Sequence, residues 1–316
     1  MIENSKLTVI GAGAVGSSVA YAALIRGSAR HVALYDIDAA KTEAEVLDLA
    51  HGTLFTRASD IIGGSDIGVA EGSHVVVVTA GAKQRPGQTR IELAATNARI
   101  VGSIVRDVLE VAPNAIIVIV TNPCDVLTML AHEASGLPAE RVFASGTVLD
   151  TSRLRWEIAR RTGVAPTSVH AQIVGEHGDT EFPLWSEARI STVPILDWRG
   201  EDGAEMFTLE ELDRIAVDVR EAAYKVIQGK GATNYAIGLS SARIVEAILG
   251  DENAVLNVSS VLQDFHGIDG VALSVPSIVR ASGVHPIRET PFDEAELEKL
   301  RSSAAALEEV AAGLRG

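Results

Sequence analysis

The chain has 316 residues, of which 47% are hydrophobic and 22% charged, which is ordinary for a soluble globular protein and long enough for two domains. Its formal net charge of -15 disfavours nucleic acid and anionic membranes as partners, so an anionic small molecule would need a local cluster of arginines. A single cysteine, Cys124, excludes an internal disulfide, and no signal peptide or membrane-length apolar run is evident, so we expect a cytoplasmic protein.

The first motif is a glycine turn between a predicted strand and a predicted helix. The apolar run Lys6–Ile10 leads directly into Gly11, Gly13 and Gly16, followed by small and apolar residues suited to a helix. The first two glycines allow the backbone to bend and approach a pyrophosphate, and the third allows the helix to pack closely on the strand. The pattern predicts a dinucleotide-binding turn of the Rossmann type.

A carboxylate follows the second predicted strand. His31–Tyr35 ends at Asp36, 20 residues after Gly16, where an aspartate can accept both ribose hydroxyls of an adenosine. The same charge repels a 2′-phosphate, so NAD is favoured over NADP. A glycine turn beside a helix-capping aspartate is the alternative interpretation, and the combined context disfavours it.

Further along, two runs, His74–Thr79 and Ala115–Thr121, read as strands buried on both faces of a parallel sheet. The second places Asn122 at its carboxyl end, beside the crevice where such sheets bind ligands. Between them, Ala80–Arg90 is a long polar loop that we predict to be a substrate-covering lid. A short strand pair is expected around Asp60–Gly68.

These repeated strand and helix units predict an α/β fold in two parts. Residues 1–145 should form an NAD-binding, doubly wound parallel sheet with helices on both faces. Residues 146–316 should form an α+β catalytic domain that binds the substrate.

The second part carries the charged groups of a catalytic site. A helix over Thr151–Arg161, opened by the residues before it, places Asp150 and Arg153 on one face and turns Arg155 about 200° from Arg153. Arg153 and Arg155 should therefore serve different ligands. A strand over Val169–Val174 should place His170 on the face opposite Val169.

His177 follows that strand in the glycine-rich turn GEHGD, where catalytic groups often lie. To act as an acid and base it needs a carboxylate, for which Asp150 is the best candidate. Arg153 offers a planar fork for a substrate carboxylate, and Arg90 on the lid could polarise a carbonyl when the loop closes. Each arginine alone could be a surface ion pair, but together with NAD the set predicts hydride transfer at a 2-oxo or 2-hydroxy acid.

Over essentially its full length the chain resembles the lactate and malate dehydrogenase family. The motifs GAGAVG, TAGAKQRPGQTR, TNPCD, SGTVLDTSRLR, GEHGDTEFPLWS and GKGATNY occur in the family's order and spacing. The resemblance implies that His177 exchanges the proton, Asp150 orients it, Arg153 anchors the carboxylate and Arg90 is the mobile polarising residue. Asn122 and Thr233 would complete the substrate site. The implied NAD contacts are Gly11, Gly13, Val15, Gly16, Asp36, Lys41, Gly81, Ala82, Ser103, Thr121, Asn122 and Ser145. No metal is expected.

The resemblance also bears on the substrate. The family's discriminating position falls on Gln84, where members acting on lactate carry glutamine and members acting on malate carry arginine. A second substrate carboxylate would be buried against a neutral amide, so we expect pyruvate and L-lactate. Arg85 is adjacent, which keeps oxaloacetate as the alternative. A non-catalytic NAD-binding protein is a third possibility, disfavoured because the four catalytic residues are present together.

Finally, Arg155 and His170 match the phosphate-site residues of bacterial family members that respond to fructose 1,6-bisphosphate. The resemblance therefore implies activation by this effector at a subunit interface, and with it a homotetramer. An ordinary surface arginine and strand histidine are the alternative interpretation.

Overall fold

The first half of the chain alternates strands and helices, as a doubly wound sheet requires. The computed structural model describes residues 2–82 and 90–315, with the backbone alone at residues 90 and 91. The elements of this half are β1 (Lys6–Ile10), α1 (Ala14–Arg26), β2 (His31–Tyr35), α2 (Ala39–His51), β3 (Asp60–Gly64), β4 (Val75–Val78), α3 (Arg90–Val111), β5 (Ile116–Ile119), α4 (Cys124–Ser135) and β6 (Val142–Ala144).

The second half mixes long helices with short strands. Its elements are α5 (Val148–Thr162), β7 (Val169–His170), β8 (Ile173–Val174), β9 (Phe182–Pro183), β10 (Arg189–Ile190), β11 (Val193–Pro194), α6 (Leu209–Lys230), α7 (Tyr235–Leu249), β12 (Ala254–Leu256), β13 (Ser259–Val261), β14 (Ala272–Ser274), β15 (Ser277–Arg280), β16 (Gly283–Pro286) and α8 (Glu294–Arg315). No helix of the described residues is both long and apolar enough to cross a membrane.

One eight-stranded sheet organises the molecule, in the order β14-β13-β6-β5-β4-β1-β2-β3. Strands β1 to β6 are parallel, while β13 pairs antiparallel with both β6 and β14. The strand order reverses between β1 and β4, which places a ligand crevice at their carboxyl ends. The predicted α/β class with a Rossmann sheet is confirmed. Because β13 and β14 come from the second half, the sheet extends across the expected boundary at residues 145 and 146.

Burial on both faces explains why these strands are almost purely apolar. All four residues of β4 and all four of β5 are buried. Helices α1 and α7 pack on one face, and α3 and α4 pack on the other. The carboxyl edge of the sheet is thereby fixed by two apolar cores, so the loops that follow the strands have a rigid base.

Two strand predictions are wrong. The expected strand over Val169–Val174 is two short strands in different sheets, β7 paired with β10 and β8 paired with β9, because the backbone between them bonds other segments. The pair expected around Asp60–Gly68 is the single strand β3 followed by a 3-10 turn. There the Asp66 side chain accepts the Gly68 N–H at 2.7 Å, which favours a turn over a second strand.

Helix starts follow local capping chemistry. Thr208 and Glu211 form a capping box at the start of α6, and Asp293 and Glu296 bond each other's backbone N–H in the same way at the start of α8. Helix α5 begins at Val148, before the expected Thr151, so Asp150 lies inside its first turn.

Candidate active site

The glycine turn after β1 has the geometry that a dinucleotide needs. Gly11 has φ +106°, and a Cβ there would lie 2.8 Å from Thr79 Oγ1. A Cβ on Gly16 would lie 1.7 Å from the Gly11 carbonyl oxygen, so the helix and strand are in close contact at that point. A Cβ on Gly13 would meet no atom within 4 Å. The open space beside Gly13, at the N-terminus of the helix that carries Val15, fits the approach of a pyrophosphate.

Asp36 is fixed next to this turn. Its Oδ2 accepts the backbone N–H of Ala12 at 2.8 Å, and its Oδ1 accepts the N–H of Asp38 at 3.2 Å. The carboxylate is partly exposed at the carboxyl end of β2, so it retains room to accept ribose hydroxyls. Lys41 lies exposed in the first turn of α2, where its backbone N–H is donated to Asp38.

The ends of β4 and β5 are joined by a residue that sequence reasoning missed. Asn97 of α3 is 3% exposed, accepts the Ala82 N–H at 2.8 Å and donates to the Asn122 carbonyl at 2.9 Å. Gly81 lies so close that a Cβ there would be 2.6 Å from the Thr121 side chain. The predicted cofactor contacts of these two loops therefore lie together: Gly81, Ala82, Thr121 and Asn122. An asparagine at a core position of an amphipathic helix was the available signal.

The two predicted serines differ in their placement. Ser145 is buried directly after β6, and its backbone N–H extends the sheet by bonding the Ile119 carbonyl at 3.0 Å. Ser103 is exposed on α3, with its hydroxyl 3.4 Å from Asp107. Ser145 thus shares the carboxyl edge of the sheet with the other predicted cofactor residues, whereas Ser103 lies on a helix surface.

His177, Asp150 and Arg153 form one bonded unit. Asp150 is 1% exposed, with Oδ2 2.6 Å from His177 Nδ1 and Oδ1 2.5 Å from Arg153 Nη1. Burial opposes ionisation of Asp150, but His177 and Arg153 outweigh it and lower its pKa. Burial also opposes the charge on His177, yet Asp150, followed by Asp125 and Glu181, raises the pKa of His177 to about 9. The imidazole is therefore protonated at neutral pH and can act as a proton donor.

A cavity of about 430 Å³ opens onto this unit. The charged and polar residues that line it include Asn122, Asp150, Arg153, His177, Glu181 and Arg220. Thr233 lies in the short connection between α6 and α7 and is not among the described residues lining this cavity. Gln84 and the side chain of Arg90 lie outside the described residues. The fold thus brings the predicted anchor, acid and orienting residue together with Asn122.

Two buried carboxyl groups next to His177 were missed. Asp125, in the first turn of α4, is 2% exposed and accepts the backbone N–H of His177 at 2.8 Å. Burial raises the pKa of Asp125 to about 6. Glu181, four residues past His177, is 4% exposed, and burial and Asp150 raise its pKa to about 8. Asp125 ends the motif TNPCD and Glu181 ends the segment GEHGDTE. Only their burial distinguishes these two acids from acids on the surface.

Arg155 bonds the backbone next to His170, and neither residue is among the described residues that line the cavity of about 430 Å³. Arg155 Nε donates to the Ala171 carbonyl at 3.0 Å, and burial lowers the pKa of Arg155. Val169 is buried and His170 exposed, as the predicted alternation requires. His170 is paired with Arg189 across β7 and β10, which places two nitrogen-bearing side chains on one face of that sheet.

Together, the sheet, the glycine turn and the bonded histidine define an NAD-dependent oxidoreductase. The chain belongs to the lactate/malate dehydrogenase family. The family model described as "lactate/malate dehydrogenase, NAD binding domain" matches residues 5–144. The model described as "lactate/malate dehydrogenase, alpha/beta C-terminal domain" matches residues 147–313.

Individual relatives and solved structures agree over the whole chain. An L-lactate dehydrogenase of Bifidobacterium animalis subsp. lactis is 50% identical over 311 residues, covering 98% of this chain and 97% of the relative. One from Kosmotoga olearia is 46% identical, covering 95% and 93%. The crystal structure of a lactate dehydrogenase from a Medee basin deep-sea metagenome superposes with a TM-score of 0.95 at 38% identity and full coverage of both chains. A minor L-lactate dehydrogenase from Enterococcus mundtii gives 0.93 at 39% identity, covering 98% of each chain.

Proposed function

We propose that this chain is an L-lactate dehydrogenase that reversibly reduces pyruvate to L-lactate with NADH. The observation that carries the proposal is the double use of Asp150, whose two oxygens hold His177 and Arg153 in one cavity. A proton donor and a carboxylate anchor fixed to one buried group suit a 2-oxo acid, which offers a carbonyl oxygen next to a carboxylate.

In this mechanism Arg153 binds the substrate carboxylate. Its guanidinium has five N–H donors, so the bond from Nη1 to Asp150 leaves donors for a bidentate contact. His177 donates the proton from Nε2 to the C2 oxygen, and Asp150 stabilises the imidazolium until transfer. When bound, NADH supplies the hydride for C2. The residues proposed to hold it are the glycine turn, Asp36 and the loops tied by Asn97.

Arg90 is proposed to polarise the C2 carbonyl, and Gln84 to face the substituent on C3. A neutral glutamine suits the methyl group of pyruvate, whereas the second carboxylate of oxaloacetate would be left unpaired at a cost of at least about 2 kcal/mol. Malate dehydrogenase activity through the adjacent Arg85 is the second candidate. Initial rates of NADH oxidation with pyruvate and with oxaloacetate test both, and a higher kcat/KM for oxaloacetate would reverse the assignment.

We also propose that the enzyme is a homotetramer activated by fructose 1,6-bisphosphate. The bond from Arg155 to the carbonyl next to His170, and the position of Arg189 opposite His170, support a phosphate site on this surface. Exposed large side chains on α1 and α7, including Tyr21, Tyr235 and Leu239, support subunit contacts.

Two further assignments, the division of the chain into domains and the location of the reaction, complete the proposal. We retain a division of the chain into an NAD-binding part, residues 1–145, and a catalytic part, residues 146–316. We place the reaction in the cytoplasm as the final step of lactic fermentation, because reduction of pyruvate regenerates the NAD that glycolysis consumes.

A further inference from the structure

Glu181 is a buried acid of the substrate cavity that the proposed mechanism does not use. Its side chain is 4% exposed, and Oε1 has no hydrogen-bond partner among the described residues. A carboxylate oxygen left unpaired in this way is costly when it is charged and much less so when the carboxyl group is neutral. The position therefore favours the protonated acid.

The neighbours of Glu181 make its charge relevant to anion binding. One carboxylate oxygen of Glu181, one carboxylate oxygen of Asp150 and one ring nitrogen of His177 all lie within 4.8 Å of one another. Asp150 remains ionised, so an ionised Glu181 would place a second negative charge where the substrate carboxylate must bind. Arg220 donates to the backbone carbonyl of Glu181 at 3.1 Å. The positive charges of His177, Arg153 and Arg220 lower the pKa of Glu181, but burial and Asp150 outweigh them.

Glu181 also lines a second cavity, separate from the substrate cavity. This cavity, of about 470 Å³, lies against α6 and α8, and Glu181 and Arg220 line both cavities. The charged residues that line the two cavities with Glu181 are Asp150 and Arg153 on α5, Glu176, His177 and Asp179 on the turn, Asp213 and Arg220 on α6, and Glu298 and Lys299 on α8. A carboxyl group in the wall between two cavities can exchange its proton while substrate occupies one of them.

We propose that Glu181 is a proton-carrying residue of the substrate cavity that must be neutral for the 2-oxo acid anion to bind. The inference rests on the proposed function, since it assumes that the cavity binds a 2-oxo monocarboxylate. It assigns Glu181 to control of substrate affinity, separate from the proton donation assigned to His177.

The pH dependence has a definite sign. Burial and Asp150 raise the pKa of Glu181 to about 8, so the acid is neutral below that pH and ionised above it. If only the neutral acid permits binding, the Kd of a 2-oxo acid anion rises about tenfold per pH unit above pH ~8, and binding there takes up one proton. His177 loses its proton at higher pH than Glu181, because the pKa of His177 is raised to about 9.

Calorimetry of oxamate, an uncharged-amide analogue of pyruvate carrying one carboxylate, tests the inference. Oxamate would be titrated into the enzyme–NADH complex between pH ~6.5 and ~9.5, in buffers of different ionisation enthalpy, so that proton uptake is measured together with Kd. The variants are Glu181→Gln, which is isosteric and cannot ionise, and Glu181→Asp, which keeps a titratable acid. Glu308→Gln, the same substitution at an exposed position of α8, is the matched control.

In the wild type, Glu181→Asp and Glu308→Gln proteins, we expect Kd to rise and a proton to be taken up as pH passes ~8. In Glu181→Gln the first rise should vanish, and only the change associated with His177 near pH ~9 should remain. An unchanged Kd profile and unchanged proton uptake in a folded Glu181→Gln protein would overturn the inference while leaving the proposed function intact. A wild-type protein that neither binds oxamate nor reduces pyruvate would overturn both.

Discussion

The carboxylate of Asp150 lies 2.6 Å from Nδ1 of His177, and it is almost fully buried. This contact determines which ring nitrogen faces the cavity, because Nδ1 is held by the acid and Nε2 is left for the substrate. The same acid bonds Arg153 at 2.5 Å, so one buried carboxylate positions both the proton donor and the anchor.

Replacing the charge of Asp150 should move the pH profile of the reaction. The Asp150→Asn substitution removes the main negative charge that stabilises protonated His177. Burial, which opposes that charge, remains, so the pKa of His177 falls from about 9. Since pyruvate reduction needs the protonated imidazole, its alkaline limb moves to lower pH, and kcat falls by roughly 10²- to 10⁴-fold. Profiles of kcat against pH, recorded at saturating pyruvate so that the effect of Glu181 on substrate binding does not enter, measure both effects. The exposed Asp197→Asn serves as control, and a variant with the wild-type alkaline limb would contradict the role of Asp150.

Replacing the guanidinium of Arg153 should weaken substrate binding. Arg153→Lys keeps the positive charge but loses the planar fork, so we expect KM for pyruvate to rise by about 10- to 100-fold. Arg160→Lys, on the exposed side of the same helix, should leave KM near the wild-type value. Steady-state pyruvate saturation compares the two, and equal KM values would remove Arg153 as the anchor.

The glycine turn allows cofactor binding to be separated from stability. Gly13 has extended backbone angles and open space, so Gly13→Ala should change the free energy of unfolding by less than about 1 kcal/mol yet weaken NADH binding about tenfold or more. Gly16→Ala places a Cβ against the Gly11 carbonyl and should also destabilise the fold by roughly 1–3 kcal/mol. NADH fluorescence titration and thermal unfolding distinguish them. Undiminished NADH affinity in Gly13→Ala would show that no phosphate approaches there.

The specificity assigned to Gln84 can be tested by introducing a positive charge. Gln84→Arg should shift the ratio of kcat/KM values toward oxaloacetate by at least about tenfold, because the second carboxylate gains a partner. Arg85→Gln is the informative companion, since a loss of oxaloacetate activity there would point to Arg85 as the residue that faces C3. An unchanged ratio in Gln84→Arg would remove Gln84 from substrate selection.

The proposed effector site predicts a loss of activation without a loss of basal turnover. Pyruvate saturation of the wild type should shift to lower concentration with fructose 1,6-bisphosphate, and Arg155→Gln combined with His170→Gln should abolish that shift. Arg160→Gln on the same helix is the control for loss of an arginine. Sedimentation with and without the bisphosphate reports the oligomer, and identical wild-type curves in both conditions would exclude activation.

Much of the site could be predicted because many of its functional residues lie within short segments of the chain. The glycine turn, Asp36 and the spacing of Asp150 and Arg153 on one helix each depend on residues close together in the chain. Local backbone geometry fixes such positions wherever the segment folds as a strand, turn or helix. His177 could be paired with Asp150 because the two types of side chain have complementary roles.

The tertiary structure alone decided which polar groups are buried and what they contact. Asp125 and His177 are separated by 52 positions, and Asn97 and Asn122 by 25, so their contacts depend on how helices pack against the sheet. The strand expected over Val169–Val174 is divided for the same reason, since its two ends pair with different partners. Nothing in the sequence distinguishes Glu181 from an acid on the surface. Its pKa is raised because it is buried beside Asp150. The sequence by itself determined the reactive groups and the cofactor turn, while packing between distant segments determined which acids are desolvated and therefore how they titrate.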